Sequence, residues 1–264
     1  MSARLRTALV LAPLFLAVLF FGGRVLFALL LSGVAALGAG EYLDLTRPKA
    51  HSVERLFVPA WAAVVVLGFL SPVPALPSAL VALGTLFYLA AWMVGPGPSP
   101  ETLPSWGAAL GAWVLVALFL GHGVWVRSVG VSPVVFVALT VWAGDTAAYY
   151  IGTAFGSHPL APAVSPKKSV EGAVASVAAS AIVALVSGLL LPLPHSVMAS
   201  CLLGIGINVA AQAGDLVESL FKRCAGVKDS GNLFPGHGGV LDRVDGFLLS
   251  LPFYASFLTI AGAG

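Results

Sequence analysis

The sequence predicts an all-α, polytopic integral membrane protein. Three observations carry that prediction. Of 264 residues, 59% are apolar and 9% charged, whereas a soluble domain runs at about 25% charged. Apolar runs of roughly 20 residues recur along the whole chain, the length of helix that crosses a hydrocarbon core of about 30 Å. Lipid offers no partner to a stray backbone N–H or C=O, so such runs form helices rather than open strands. The 13 basic and 11 acidic side chains cannot cover a soluble surface of this size. That excludes a soluble globular enzyme, a disordered chain and a nucleic-acid-binding domain.

Pro, Gly and charged residues divide the apolar runs into about nine spans, near 5–21, 24–44, 55–71, 76–94, 106–126, 131–155, 170–191, 196–220 and 244–262. The first follows Arg4 and Arg6 and imitates a signal peptide. No small-x-small cleavage site precedes Arg24, so it reads as a retained span. Two proline-rich connectors, 71–77 and 95–104, are expected to end helices. Cys201 and Cys224 stand outside any Cys-x-x-Cys pair and read as unrelated thiols. No internal repeat supports an inverted-repeat transporter.

Orientation follows from Lys and Arg. With a cytoplasmic N-terminus, Arg4, Arg6, Arg47, Lys49, Arg55, Lys167, Lys168, Lys222, Arg223, Lys228 and Arg243 all fall inside, and only Arg24 and Arg127 fall outside. Between residues 56 and 140 the charged residues are Glu101 and Arg127 alone, whereas 141–245 is rich in both signs. We therefore expect a scaffold of membrane helices over 1–130. A catalytic membrane domain is expected over 131–264, with cytoplasmic loops at 156–170 and 221–243.

Four stretches could carry chemistry. Asp145 lies inside an apolar run, where a carboxylate needs a partner, water or a metal; an interhelical hydrogen bond would also satisfy it. Ser165-Pro-Lys-Lys168-Ser169-Val-Glu171-Gly172 sits at a cytoplasmic helix entrance. Ser169 could cap that helix, and the helix N-terminus with two lysines and two hydroxyls suits an anion. Asn208, Gln212, Asp215, Ser219 and Lys222 recur at helical spacing and form one polar stripe, with Glu218 beside it. Beyond it, glycines surround His237, and Asp242 and Asp245 are three apart on the next helix. Their oxygens suit Mg²⁺, and the neighbouring Lys and Arg suit phosphate. His237 reads equally as a loop hydrogen bond or as a catalytic group. P-loop, Rossmann, zincin and Gly-x-Ser-x-Gly motifs do not occur.

The run Ser219, Lys222-Arg223, Lys228-Asp229, Pro235-Gly236-His237-Gly238-Gly239 and Asp242-Arg243-Val244-Asp245 resembles the signature of phosphatidate cytidylyltransferases, also called CDP-diacylglycerol synthases. Gln212-Ala-Gly-Asp215-Leu-Val-Glu218-Ser219 looks like the family's approach to that signature, and 165–172 is similar to its Ser-Pro-x-Lys-Thr-x-Glu-Gly segment. Ser169 stands for the usual Thr and Val170 for a frequent Trp. The motifs cover about 142–245; the first half resembles the family only as generic spans.

The resemblance implies a nucleotidyltransferase: CTP and phosphatidic acid give CDP-diacylglycerol and pyrophosphate, for phospholipid biosynthesis. It also implies a Mg²⁺ requirement, with one or two ions, and a homodimer. Location in the cell (inner) membrane, with the site facing the cytoplasm, would let a soluble nucleotide meet a lipid. On this reading Asp215, Asp242 and Asp245 hold metal, with Asp145 a fourth or outer member. Lys168, Lys222, Arg223, Lys228 and Arg243 hold phosphates. Ser165, Ser169 and the Gly236–Gly239 backbone, including Gly238 and Gly239, cradle the triphosphate, and His237 orients a phosphate or stabilises the departing pyrophosphate. Asp215, Lys222, His237, Asp242 and Arg243 form the catalytic set. The rivals are a CTP-dependent polyprenol or phytol kinase and an ion-coupled transporter using Asp145 and Asp215.

Overall fold

A computed structural model describes residues 13–95, 97–234 and 238–262. His237, with Pro235 and Gly236, lies outside the described residues, as do residues 5–12 of the first expected span, whose remainder, 13–21, is helical. The described chain is nearly all helix: α1 (Gly23–Thr46), α2 (Ser52–Gly68), α3 (Leu76–Val94), α4 (Thr102–Val129), α5 (Val131–Phe155), α6 (Val170–Leu190), α7 (Val197–Cys224) and α8 (Leu241–Ile260). Each apolar run read from the sequence has a helix over its described residues. Six of these helices, α1 and α3–α7, are long and apolar enough to cross a membrane. Outside that set are α2, at 17 residues, and α8, which opens on Asp242, Arg243 and Asp245.

One departure from an all-α fold is a two-stranded antiparallel hairpin, β1 (Pro159–Ala161) and β2 (Ser165–Ser169). It falls where a plain cytoplasmic loop is expected. Pro166 has no N–H to donate, and with only one neighbouring strand it can sit in an edge. A second departure is a π-helical stretch, Ala112–Leu118, in the middle of α4.

Local chemistry explains the boundaries. Ser169 caps α6, its Oγ accepting from Gly172 N at 3.2 Å. Ser196 caps α7 in the same way through Ala199 N at 3.2 Å. Glu54 returns a carboxylate to His51 N at 2.7 Å and starts α2. Pro77 lies in the first turn of α3, and Pro104 in that of α4, where a missing N–H costs nothing. Large apolar side chains such as Val94 (90% exposed), Ile260 (87%) and Leu190 (75%) stand on the helix surfaces. Large apolar side chains exposed in this number fit hydrocarbon rather than water.

The chain divides into two compact units: Met1–Trp125 with Asp229–Arg243, and Val126–Lys228 with Val244–Gly264. In the first, Phe27, Ala35, Val58, Ala62, Trp113 and Val116 form a dry core. Trp113 is anchored there by its Nε1, which donates to Val58 O at 3.0 Å. A buried polar network also binds this unit: Tyr88 and Ser105 donate to Glu54, and Arg47 bridges Glu54 and Glu101. In the second, Ser180 Oγ donates to Thr140 O at 2.8 Å between α6 and α5. Tyr254 is buried against Phe136 and His195.

Candidate active site

The polar stripe read from the sequence is real on α7. Asn208 is buried and donates through Nδ2 to Ser176 Oγ at 2.9 Å. Gln212 Nε2 donates to Asn208 Oδ1 at 2.6 Å and to Ala173 O at 3.3 Å. These amides fasten α7 to α6 and so fix the rotation of the helix one and two turns further on. There Ser219 Oγ donates to Asp215 Oδ1 at 3.4 Å, and Lys222 is ion-paired with Glu218. Glu218 is 2% exposed and Lys222 8%. A buried charge of either sign needs such a partner.

Asp245 joins this group from α8. One carboxylate oxygen from each of Asp215, Glu218 and Asp245 lies within 4.8 Å of the other two. The approach depends on Gly214, because a Cβ there would stand 2.4 Å from Asp245 O. Any side chain would push α8 off α7 and pull Asp245 out of the group. Opposed oxygens around a hard cation stand about 4.2 Å apart for Mg²⁺ and about 5 Å for Ca²⁺. Three carboxylates at this separation therefore fit a hard divalent cation. Asp145 is outside this triad, but on α5 it lies within electrostatic range of Asp215, Lys168 and Asp245.

The hairpin supplies positive charge. Lys168 in β2 is ion-paired with Asp215. Arg223 is engaged differently: its Nε donates to Val164 O at 3.1 Å and its Nη1 to Val227 O at 3.0 Å, tying the hairpin turn to the end of α7. Ser165 pairs with Ala161 in the sheet, and the Ser169 hydroxyl serves as the α6 cap. Glu171 accepts from Ser157 N and His158 N at 3.1 and 3.3 Å and pairs with His158, which closes the base of the hairpin. Lys228 is exposed at the end of the segment that follows α7.

In the first unit, Asp242 Oδ2 accepts from Ser230 N at 2.9 Å, Gly239 N at 2.8 Å and Ser230 Oγ at 2.8 Å. Gly238 has φ +80°, and a Cβ there would also meet Asp242 Oδ2 at 2.5 Å. Glycine is required on both counts. Arg243 follows in the first turn of α8.

The structure thus gathers Lys168, Asp215, Ser219, Lys222 and Asp245 in the second unit, and Gly238, Gly239 and Asp242 in the first. Two residues escaped the sequence reading as site members. Glu218 had a signal, its spacing of three from Asp215. Glu41 had only the oddity of a carboxylate in an apolar run; its surroundings are described below.

Taken by itself, the second unit defines a membrane-embedded protein whose acidic triad and lysines can hold a metal together with anionic groups. The cytidylyltransferase family model matches residues 2–261. The chain is 36% identical to a phosphatidate cytidylyltransferase of Pseudomonas aeruginosa, over 100% of this chain and 99% of that protein. It is 34% identical to the Brucella suis phosphatidate cytidylyltransferase, over 100% and 93%, and 33% identical to that of Staphylococcus haemolyticus, over 96% of each. The chain belongs to the cytidylyltransferase family.

Proposed function

We propose that the protein is a phosphatidate cytidylyltransferase, transferring the cytidylyl group of CTP to phosphatidic acid and releasing pyrophosphate. The observation that carries the reading is the triad Asp215, Glu218 and Asp245 with Lys168 and Lys222 paired onto it. Its full-length relatives bear the same name.

The chemistry suits these residues. The nucleophile is a phosphate oxygen of phosphatidic acid, which attacks the α-phosphorus of CTP. The bond from that phosphorus to the oxygen bridging to the β-phosphate breaks, and pyrophosphate leaves. A phosphomonoester has a second pKa of about 6, so the attacking oxygen is already largely deprotonated near neutral pH. The protein needs no strong general base. Its task is to bring two polyanions together. Bound at the triad, Mg²⁺ would neutralise phosphate charge and stabilise the charge that develops on transfer. Lys168 and Lys222 lie beside the carboxylates, ready to share their charge with phosphate oxygens. Arg243, Lys228 and Arg223 add phosphate contacts, with Ser165, Ser169, Gly238 and Gly239 around the triphosphate. His237 orients a phosphate or meets the departing pyrophosphate. Asp242, and Asp145 as a fourth or outer member, are the further carboxylates that would serve one or two metal ions.

In this reading the chain has nine spans and a cytoplasmic N-terminus in the cell membrane, and it works as a homodimer. Eleven of the thirteen basic residues then lie on the cytoplasmic side, the side where CTP is available. The test is to incubate purified protein with phosphatidic acid, Mg²⁺ and CTP labelled either in cytidine or at the γ-phosphate. Cytidine label entering lipid, with release of pyrophosphate and loss of both on chelation by EDTA, is the expected result. Lipid carrying only γ-label would instead make the protein a kinase. No labelled lipid, with ion flux in proteoliposomes, would make it a transporter.

A further inference from the structure

Glu41 lies on α1, five residues before its end at Thr46, in a helix that the sequence presents as scaffold. Its Oε1 accepts from Val240 N at 2.8 Å, and its Oε2 accepts from Leu241 N at 2.9 Å. Ser230 Oγ lies 2.9 Å from the same Oε2. The two amides belong to the start of α8, where N–H groups have no partner within the helix. A negative charge at that end is also favoured by the helix dipole. Glu41 therefore does for α8 what a capping side chain does, from 200 residues away in sequence.

The fit is close on both sides. A Cβ on Gly231 would come within 2.6 Å of Glu41 Oε1, and one on Gly239 within 2.3 Å of Oε2. These glycines let the backbone settle directly on the carboxylate. Ser230 connects Glu41 to Asp242, since its hydroxyl is within hydrogen-bond distance of both carboxylates and its N–H donates to Asp242. Ser230 on one side of the signature loop and Gly239–Leu241 on the other are thus fastened to one pair of acids.

We propose that Glu41 is a positioning residue for nucleotidyl transfer: it holds the signature segments 229–234 and 238–241 in the arrangement that receives CTP. The proposal rests on the cytidylyltransferase reading, and it gives the N-terminal helices a part in the reaction beyond scaffolding. Glu41 itself touches backbone and Ser230, so its loss should act on the nucleotide and leave lipid binding alone.

The test uses full-length protein in mixed micelles, with kinetics for each substrate and a thermal unfolding midpoint for every variant. Glu41→Gln keeps the shape but turns an N–H toward an N–H donor. It is expected to lower kcat/KM for CTP at least tenfold, to leave KM for phosphatidic acid within twofold, and to keep most of the unfolding midpoint. Glu41→Asp, which retains both acceptor oxygens, should recover part of the loss. Wild-type CTP kinetics in Glu41→Gln would overturn the proposal, as would equal losses toward both substrates that follow the folded fraction. Should Glu41→Gln fail to fold, Ser230→Ala carries the test. A drop of about threefold in kcat/KM for CTP alone supports the role, and unchanged kinetics overturns it. Wild-type protein that makes no liponucleotide would sink the functional reading itself, an outcome distinct from an active wild type with an indifferent Glu41 variant.

Discussion

Lys168 in β2 is ion-paired with Asp215 in the middle of α7. A short hairpin thus brings a cation onto an acid that also belongs to the metal-sized triad. If the two act on opposite signs of one complex, their variants should fail differently. Asp215→Asn should lose turnover by more than the roughly 10–100-fold that removal of an outer-shell partner costs, even at saturating Mg²⁺, while the protein still folds. Lys168→Met should retain turnover but raise KM for CTP about tenfold, the scale of one charge-assisted hydrogen bond. Steady-state kinetics over a matrix of CTP and Mg²⁺ concentrations checks both.

Glu218 is buried, and Lys222 is its partner. Glu218→Gln removes one of three hard oxygens and leaves the ammonium with a neutral neighbour. The expected outcome is a rise of about tenfold in the Mg²⁺ concentration for half-maximal activity, with turnover largely restored at high Mg²⁺. A metal titration of the variant against wild type reads it directly.

Gly214→Ala tests the helix contact. Its Cβ would press on Asp245 O, a backbone atom that cannot swing aside. Overpacking of this kind costs about 1–3 kcal/mol. Both the unfolding midpoint and the activity should fall, and the loss should exceed that of Gly33→Ala on the exposed side of α1, where nothing stands within 4 Å.

A pH effect is expected away from the site. His195, between α6 and α7, has its pKa lowered from 6.5, with burial as the largest cause. Its ring nitrogens meet the Tyr254 hydroxyl at 2.9 Å and Ser200 Oγ at 3.1 Å. Because the unfolded chain binds the proton more readily, stability is unaffected well above pH 6.5 and declines as pH falls below that value toward the lowered folded-state pKa. Unfolding midpoints between pH 7.5 and 5 should drop in wild type and drop less in His195→Asn.

Much of this was legible in the sequence because hydropathy and helical spacing act locally. The runs near 76–94 and 131–155 meet the helices at the same residues. Ser169 is the cap that its position before Val170 announces. Asp215, Ser219 and Lys222 share a face because a helix repeats every 3.6 residues. What stayed hidden depends on partners distant in sequence. Nothing near Arg223 signals that its guanidinium will meet Val164 O, and nothing near Glu41 points to Leu241. The hairpin was also hidden, since its five-residue strand carries Pro, Lys and Ser rather than strand-forming residues.

The π-helical stretch Ala112–Leu118 has a consequence for how the chain tolerates changes in length. A wider turn stores one surplus residue, with bonds running from i to i+5. Removing a single residue there would let the stretch relax into ordinary α-helix, keeping Ser105 and Val124 on the faces they now occupy. The same deletion in α7 would rotate Asp215 and Glu218 by about 100° relative to Asn208. Single-residue gaps in α4 should therefore be silent where those in α7 are lethal to function.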